Sequence, residues 1–340
     1  MTRQDLALPE LANLSRVQKG IISEYLAGTR EISFGELRQV FGALGKDLIQ
    51  VLSPQPVTAF ISWRKSSATE QQAVVDLTKA FLRIEDLLPK PKVPYLPVRI
   101  GDTSDDPGML LAEVKHAASA AQTKLGSTKV EDAYRQWGIP LIGLRLGTEA
   151  LDGMCLSASS GKVLVIVNMD QPLTRLRFTL LHELWHALFD QKKNIPPDHL
   201  GVDFYKEKIS PDAIPEYRAN KWAQLWLVPW ADAEKAYGRF VSGLGMGETK
   251  QLLSQSGASL FVLANAIFDI ARLRQNKITY SVIRDRLQQD ESLQGTFGLQ
   301  DTRNLVVETT RFIVRLIDAH EAEFGDSVLS NLRHTLQIEQ

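Results

Sequence analysis

The segment His182-Glu183-Leu184-Trp185-His186 constrains the fold more than any other feature of the sequence, because its chemistry requires an α-helix. On a helix the two histidines lie one turn apart on the same face, so both imidazole rings can bind a single zinc ion. Glu183 then projects beside the metal, where a general base is needed. Leucines at positions 180, 181, 184 and 188 fall on the opposite side. The pattern predicts an amphipathic helix, about 170–190, with one metal-binding face.

A catalytic zinc site needs a third protein ligand and one position that is open for water. The extended motif of the metzincin proteases is excluded, because Phe189 and Lys192 stand where it needs glycine and histidine. We favour Glu216, which opens a predicted helix over 216–227, because a ligand on a helix is held more firmly than one on a loop. His199 is the second choice. The other downstream candidates are Asp198, Asp203, Glu207 and Asp212.

The hydrophobic pattern divides the chain into four parts. They are a small helical module, 1–53; a connector helix with a proline-rich linker, 54–108; a domain of helices and short strands, 109–230; and a helical region, 231–340. The predicted strands span 141–146, 154–157 and 162–168. We therefore expect an α+β fold that is mostly helical, with a small three-stranded sheet beside the metal-binding helix.

The composition excludes several classes of protein. The chain has 340 residues and a formal net charge of −1, so no global positive field attracts it to nucleic acid or anionic lipid. The single cysteine, Cys155, excludes a disulfide scaffold, a cysteine zinc finger and an iron–sulfur protein. No signal peptide is recognisable, and the longest apolar run, 163–167, is too short to cross a bilayer. We expect a cytoplasmic protein with no membrane partner.

Two segments resemble the motifs of the ImmA/IrrE metallopeptidases. Residues 177–188 read RFTLLHELWHAL, against the family pattern RFTLxHExxHAL, and a predicted strand that ends in Asn168 precedes them. Residues 216–229 read EYRANKWAQLWLVP, against ExxANxxAxxLLMP. Order and spacing agree, and the similarity covers roughly 110–285. The chain departs from the family pattern at Trp185, Trp226 and Val228.

The resemblance implies a zincin-like domain with a gluzincin-type site. In such a site His182, His186 and Glu216 bind Zn²⁺, and Glu183 is the catalytic acid and base. It also implies an endopeptidase that cleaves a regulatory protein, a DNA-bound repressor, in a response to stress, phage or mobile elements. Mn²⁺ is an alternative metal, because nitrogen and oxygen ligands discriminate weakly between these ions.

Other side chains near the motifs are candidates for the surroundings of the metal. Asn220 lies one helical turn after Glu216 and can hold a ligand in place. Thr179 lies on the metal face of its helix. Three aromatic residues flank that face and can shape the substrate cleft: Phe178, Trp185 and Phe189. For Phe178 we favour the alternative, packing in the core. The candidates for an oxyanion donor are Tyr205, Tyr217 and Arg218.

The N-terminal module resembles the core of an Xre/Cro-type helix-turn-helix, with its second helix at 8–14 and its recognition helix at 18–26. The resemblance implies that residues 1–53 can bind DNA. The side chains expected to reach bases or phosphates are Gln18, Lys19 and Ser23. The first helix is shortened, and the charges of the module cancel, whereas specific DNA binding normally needs a basic face. A module that recognises another repressor or forms dimers is the alternative.

Two alternatives to a peptidase stay open. One is a DNA-binding regulator whose metal domain is a sensor. The other is a toxin–antitoxin or phage-related component whose C-terminal helices, 248–337, bind a partner. Loss of function in Glu183→Gln with zinc retained favours the peptidase, whereas loss in Lys19→Ala with cleavage intact favours the regulator.

Overall fold

The structure, a computed structural model, describes part of the chain. The described residues are 7–27, 29–30, 36, 39–40, 43–44, 57–62, 77–92, 96, 105–145, 151–158, 160–190, 209, 213–293 and 300–320, with the backbone alone at 57–62, 292 and 300–301. The chain divides into two compact units, Met1–Pro56 and Val57–Gln340. The second unit contains both of the motifs that carry the metal-site prediction.

The described part of the first unit includes the helices α1 Leu8–Ser15 and α2 Lys19–Leu26, whose ends lie within one residue of the prediction. A small apolar cluster of Val17, Ile22 and Val40 is buried in this unit. The side chains predicted to reach DNA, Gln18, Lys19 and Ser23, are exposed at and near the start of α2. DNA binding by this unit stays a prediction.

The second unit is built on a four-stranded sheet. Its strands are β1 Val57–Ser62, β2 Leu141–Leu144, β3 Gly153–Ala158 and β4 Val163–Asn168, in the order β1-β3-β4-β2. β2 runs parallel to β4, whereas β3 is antiparallel to both of its neighbours. The three predicted strands are present. β1 is an additional strand, which was not predicted because its partner is distant in the chain and no turn signal joins the two.

Both faces of the sheet are buried at β3 and β4. Val163, Val165 and Val167 belong to one apolar core, and Leu164 and Ile166 belong to a second. Successive side chains of a strand point to opposite faces, so each core covers one face of the sheet. A strand that is buried on both faces has a continuous apolar sequence, as β4 has from Val163 to Val167.

Helices make up the rest of the described part of the second unit. They are α3, residues 77–84, continued by a 3₁₀ turn at Glu85–Leu87; α4 Pro107–Leu125; α5 Val130–Trp137; α6 Leu173–Trp185; α7 Ile214–Leu227; α8 Trp230–Ser242; α9 Gly247–Ser256; α10 Leu260–Leu273; α11 Tyr280–Gln289, followed by a 3₁₀ turn at Glu291–Leu293; and α12 Gln300–Ala319. The predicted fold class, α+β and mostly helical, is confirmed. In the described residues no single helix is long and apolar enough to cross a membrane, although α9 and α10, bent by 118°, pass that test as a pair.

The predicted connector is part of the second unit. Leu77, Phe81, Ile84 and Leu88 are buried in the second core, together with Ile313 of α12. The apolar face of the sheet needs such a cover, which explains why α3 packs on it. The divisions predicted at residues 108 and 230 therefore fall inside one compact unit, Val57–Gln340.

Helix α12 covers the β2 edge of the sheet. The backbone N–H of Gly143 in β2 donates a hydrogen bond to the Thr310 hydroxyl at 2.9 Å. A Cβ atom at Gly143 would lie 2.4 Å from Val306 Cγ1 and 2.7 Å from Met169 Cγ. The close approach of α12 to this strand therefore requires glycine.

Gly143→Ala is expected to lower the free energy of unfolding by about 1–3 kcal/mol, because the added methyl group overpacks the contact with α12. Thermal and urea unfolding measure this. The matched control is Gly238→Ala in α8, where an added Cβ meets nothing within 4 Å. Alanine in an open helical position is expected to stabilise by about 0.5–1 kcal/mol. Equal stability changes in the two variants would contradict the packing account.

Candidate metal centre

The HExxH segment lies at the end of α6 and in the turn that follows it. α6 ends at Trp185, and residues His186–Asp190 continue it as one π-helical turn. The predicted helix therefore extends as far as expected, with a wider last turn. Single π turns of this kind occur frequently at functional sites. His182 and His186 remain one turn apart on the same side of the helix.

Three side chains converge on one point beside this helix. His182 Nε2 lies 3.2 Å from His186 Nε2, and Glu216 places Oε2 3.2 Å from His182 Nε2 and Oε1 3.4 Å from His186 Nε2. Two ligand atoms of a tetrahedral zinc ion with Zn–N bonds of 2.0–2.1 Å lie about 3.3 Å apart. The distance between the two nitrogens fits one edge of such a tetrahedron, and each nitrogen faces a different oxygen of the Glu216 carboxylate at a similar distance.

Glu216 reaches this point from α7. Glu216 lies in the first turn of this helix, directly after Pro215. α7 packs against α6. Among the described residues, His182, His186 and Glu216 are the group that could hold a metal ion. The alternative third ligands, Asp198, His199, Asp203, Glu207 and Asp212, lie outside the described residues.

Burial and charge shift the pKa values of two residues in the cluster. Burial alone would lower the pKa of His186, but the charge of Glu216 and the hydrogen bond to Asp190 outweigh it and raise the pKa to about 10. Burial alone would raise the pKa of Glu216, but the two histidines hold it well below its usual range. The cluster thus favours a positive charge beside the Glu216 carboxylate, which suits a bound cation.

Two further side chains hold the histidine rings in place. Asn220 Oδ1 lies 3.1 Å from His182 Nδ1. This agrees with its predicted position, one helical turn after Glu216, where it can hold a ligand. Asp190 Oδ2 lies 3.0 Å from His186 Nδ1, and both residues are fully buried. With Nδ1 held in this way, Nε2 of each ring is directed to the metal position. Asp190 was not predicted, although its place four residues after His186 on the same predicted helix was a signal.

Asp190→Asn is expected to weaken zinc binding by about 10- to 100-fold, because the amide is a poorer acceptor for the imidazole N–H than a carboxylate. A competition titration with a chromophoric zinc chelator measures the affinity. Asp232→Asn, a substitution of the same kind on the surface of α8, where Asp232 pairs with Lys235, is the control and should bind zinc as the wild type does. Unchanged affinity in Asp190→Asn would show that this contact does not orient His186.

Strand β3 passes directly over the motif helix beside Glu183. A Cβ atom at Gly153 would lie 3.1 Å from Glu183 Oε1 and 2.4 Å from Thr179 Cγ2. Glu183 itself is fully buried. Thr179 packs under β3 and its hydroxyl bonds the Gln171 side-chain oxygen at 3.3 Å. Glycine at position 153 therefore leaves room for the carboxylate that was predicted as the general base.

The aromatic residues near the motif take different places. Trp185 is fully buried, with its ring centroid 4.4 Å from that of Phe189 and 5.5 Å from that of Trp222. It therefore belongs to an aromatic cluster inside the core, not to an open cleft wall. Phe178 is partly buried, and its ring centroid lies 6.4 Å from that of His182.

Two of the three candidates for an oxyanion donor, Tyr217 and Arg218, lie within the described residues, and both are on α7. Tyr205 lies outside the described residues. The Tyr217 hydroxyl donates to the Pro107 carbonyl at 3.3 Å, and Arg218 is buried in an ion pair of 2.7 Å with Glu113. Both contacts fasten α7 to α4. A structural role therefore accounts for Tyr217 and Arg218.

Comparison with known proteins agrees with this site. Residues 135–266 match the model of a protein family described as the IrrE N-terminal-like domain, Peptidase_M78. The match begins in α5 and ends in α10, so it includes α6, α7 and all three metal-site residues. No curated protein and no solved structure matches the chain. The family match covers less than half of the chain and supports a metallopeptidase-type protein of the ImmA/IrrE kind.

Proposed function

We propose that the chain is a zinc-dependent endopeptidase of the gluzincin type, which hydrolyses a peptide bond in a regulatory protein, a DNA-binding repressor. The observation that carries this proposal is the cluster of His182, His186 and Glu216, whose donor atoms are 3.2–3.4 Å apart, with Glu183 beside it. The family match supports a metallopeptidase. The resemblance of residues 8–26 to a helix-turn-helix supports a target involved in gene regulation.

Each residue of the site has a part in the proposed reaction. Zinc, when bound, would polarise the scissile carbonyl and lower the pKa of a water molecule. Glu183 would accept the proton of that water and pass it to the leaving amine. Asn220 and Asp190 would keep the two imidazole rings in orientation. The two nitrogen donors and one oxygen donor also suit Mn²⁺. A measurement of metal content distinguishes the two ions.

A regulatory function of the first unit is a second candidate. The exposed side chains of Gln18, Lys19 and Ser23, at and near the start of α2, support contact with DNA or with a repressor. The unit could thus bring the peptidase to its target. A protein in which the metal domain is only a sensor would bind through this unit and leave its target intact.

Sequencing of newly formed protein N-termini tests the proposed function. Cells that express the wild-type chain are compared with cells that express Glu183→Gln, and both proteins are recovered to measure their zinc content. We expect at least one new N-terminus inside a regulatory protein that forms with the wild type alone. If both proteins hold zinc and their N-termini agree, the peptidase proposal is wrong and the sensor is favoured.

A further inference from the structure

Helix α12 buries one face in the protein and exposes the other. Leu305 and Val306 belong to the apolar core on one side of the sheet, and Ile313 belongs to the core on the other side. Thr302 in the first turn is fully buried, and its hydroxyl donates a hydrogen bond to the buried carboxylate of Glu131 on α5. These contacts hold α12 in one orientation, so the directions of its outer side chains are set by the fold.

The exposed face of α12 carries three arginines without a partner carboxylate among the described residues. Arg303, Arg311 and Arg315 are exposed, and they form no ion pair with any described residue. Glu308 lies on the same face, but its carboxylate is 3.3 Å from the guanidinium group of Arg135 on α5, which balances its charge. The face therefore presents three positive charges that the described residues do not neutralise.

The three arginines form a row along the helix. With about 3.6 residues per turn they fall within an arc of about 120°, and with a rise of about 1.5 Å per residue the row is about 18 Å long. Asp318, the next acidic residue of α12, lies in the last turn, beyond the row. Each strand of duplex DNA carries one phosphate per about 3.4 Å of helix axis. The row therefore spans about five successive phosphates of one strand.

We propose that the exposed face of α12 binds the phosphate backbone of duplex DNA through Arg303, Arg311 and Arg315. A guanidinium group matches the geometry of a phosphate, and such contacts position a protein on DNA without reading its sequence. The chain has a formal net charge of −1, so attraction to DNA has to come from a local group of charges. This face belongs to the second unit, whereas the segment that resembles a helix-turn-helix belongs to the first.

Two other classes of partner fit this face less well. A membrane surface takes up the apolar face of an amphipathic helix, and that face of α12 is already buried in the protein. The exposed Val307 and Phe312 lie about 140° apart around the helix and form no continuous apolar face. An acidic peptide would also pair with arginines. The choice of DNA over such a peptide rests on the proposed function, in which the target is a DNA-bound repressor.

The experiment measures the affinity of the wild-type chain for a short labelled DNA duplex of mixed sequence by fluorescence anisotropy, at several salt concentrations. Each phosphate contact contributes about 0.9 to the slope of the logarithm of affinity against the logarithm of salt concentration. The test variant combines three substitutions on α12: Arg303→Gln, Arg311→Gln and Arg315→Gln. The control variant removes the same total charge from three arginines that pair with carboxylates: Arg239→Gln, Arg274→Gln and Arg284→Gln.

We expect the salt slope of the α12 variant to be smaller than that of the wild type by about 2.7, the share of three phosphate contacts. Its affinity at low salt should be at least tenfold weaker, and the control variant should keep the wild-type slope. Any DNA binding by the first unit is common to all three proteins, so the difference between the two variants reports α12 alone.

Three results would overturn the proposal. They are a wild-type chain that does not bind the duplex, an α12 variant with the wild-type slope, and an equal loss in the control variant. A labelled polyglutamate peptide is measured in the same buffer, and tighter binding of this peptide than of the duplex would assign the face to an acidic protein segment instead. Peptide cleavage does not enter the measurement, so a failure here is distinct from a failure of the proposed peptidase function.

Discussion

Glu183→Gln is expected to reduce peptide-bond hydrolysis by about 10²- to 10⁴-fold, because glutamine cannot accept the proton of the attacking water. Zinc content should stay at the wild-type level, because the metal cluster consists of His182, His186 and Glu216. The measurement is the rate of cleavage of a mixture of quenched fluorescent peptides by zinc-loaded protein, with the metal content determined on the same sample.

The matched control for this change is Glu248→Gln. Glu248 lies at the start of α9, is 75% exposed and pairs with Arg239, so the same loss of a carboxylate occurs on the surface. This variant should cleave peptides at the wild-type rate. Wild-type hydrolysis by Glu183→Gln would remove Glu183 from the mechanism, whatever the zinc content.

Asp269→Ala is expected to lower the free energy of unfolding by about 3–5 kcal/mol, because it removes the carboxylate that neutralises a buried ammonium group. Lys221 is 3% exposed, and its Nζ lies 2.8 and 2.6 Å from the two carboxylate oxygens of Asp269. Gln224 donates to the same carboxylate at 2.6 Å. Since Lys221 is on α7 and Asp269 is on α10, the loss should also loosen the helix that supplies Glu216. Urea unfolding measures the change.

Two further variants separate this buried pair from a general effect of removing charge. Asp285→Ala removes an aspartate whose partner, Arg284, is 46% exposed, and it should change stability by less than about 1 kcal/mol. The double variant Lys221→Met with Asp269→Leu replaces both charges by apolar groups and should recover most of the loss. A single variant as stable as the double variant would contradict the account.

Much of the fold follows from local sequence patterns. The strand pattern of β4 and the helix pattern of α2 depend on neighbouring residues, and both elements lie within a residue of the predicted positions. β1 was not predicted, because a six-residue strand takes its stability from a partner far along the chain. The packing of α3 on the sheet was missed for a related reason. An amphipathic helix shows that one of its faces is buried and does not show against what.

The site residues that lie close together in the sequence were predicted, whereas contacts between distant segments were not. His182 and His186 follow from helical spacing, and Glu216 follows from a second helix and the family pattern. Asn220 was found because it shares a helix face with Glu216, and its contact with His182 at 3.1 Å agrees. The position of Gly153 against Glu183 depends on how a strand crosses a helix, which spacing along the chain does not encode.

The metal content of the purified protein tests the central claim most directly. Plasma mass spectrometry is applied to the wild type, to His182→Ala, His186→Ala and Glu216→Ala, and to Glu183→Gln as the control. The account predicts about one zinc ion per chain in the wild type and in the control, and loss of zinc in each of the three ligand variants. A wild-type protein without stoichiometric metal, or ligand variants that retain it, would contradict the assignment of His182, His186 and Glu216 as a zinc site.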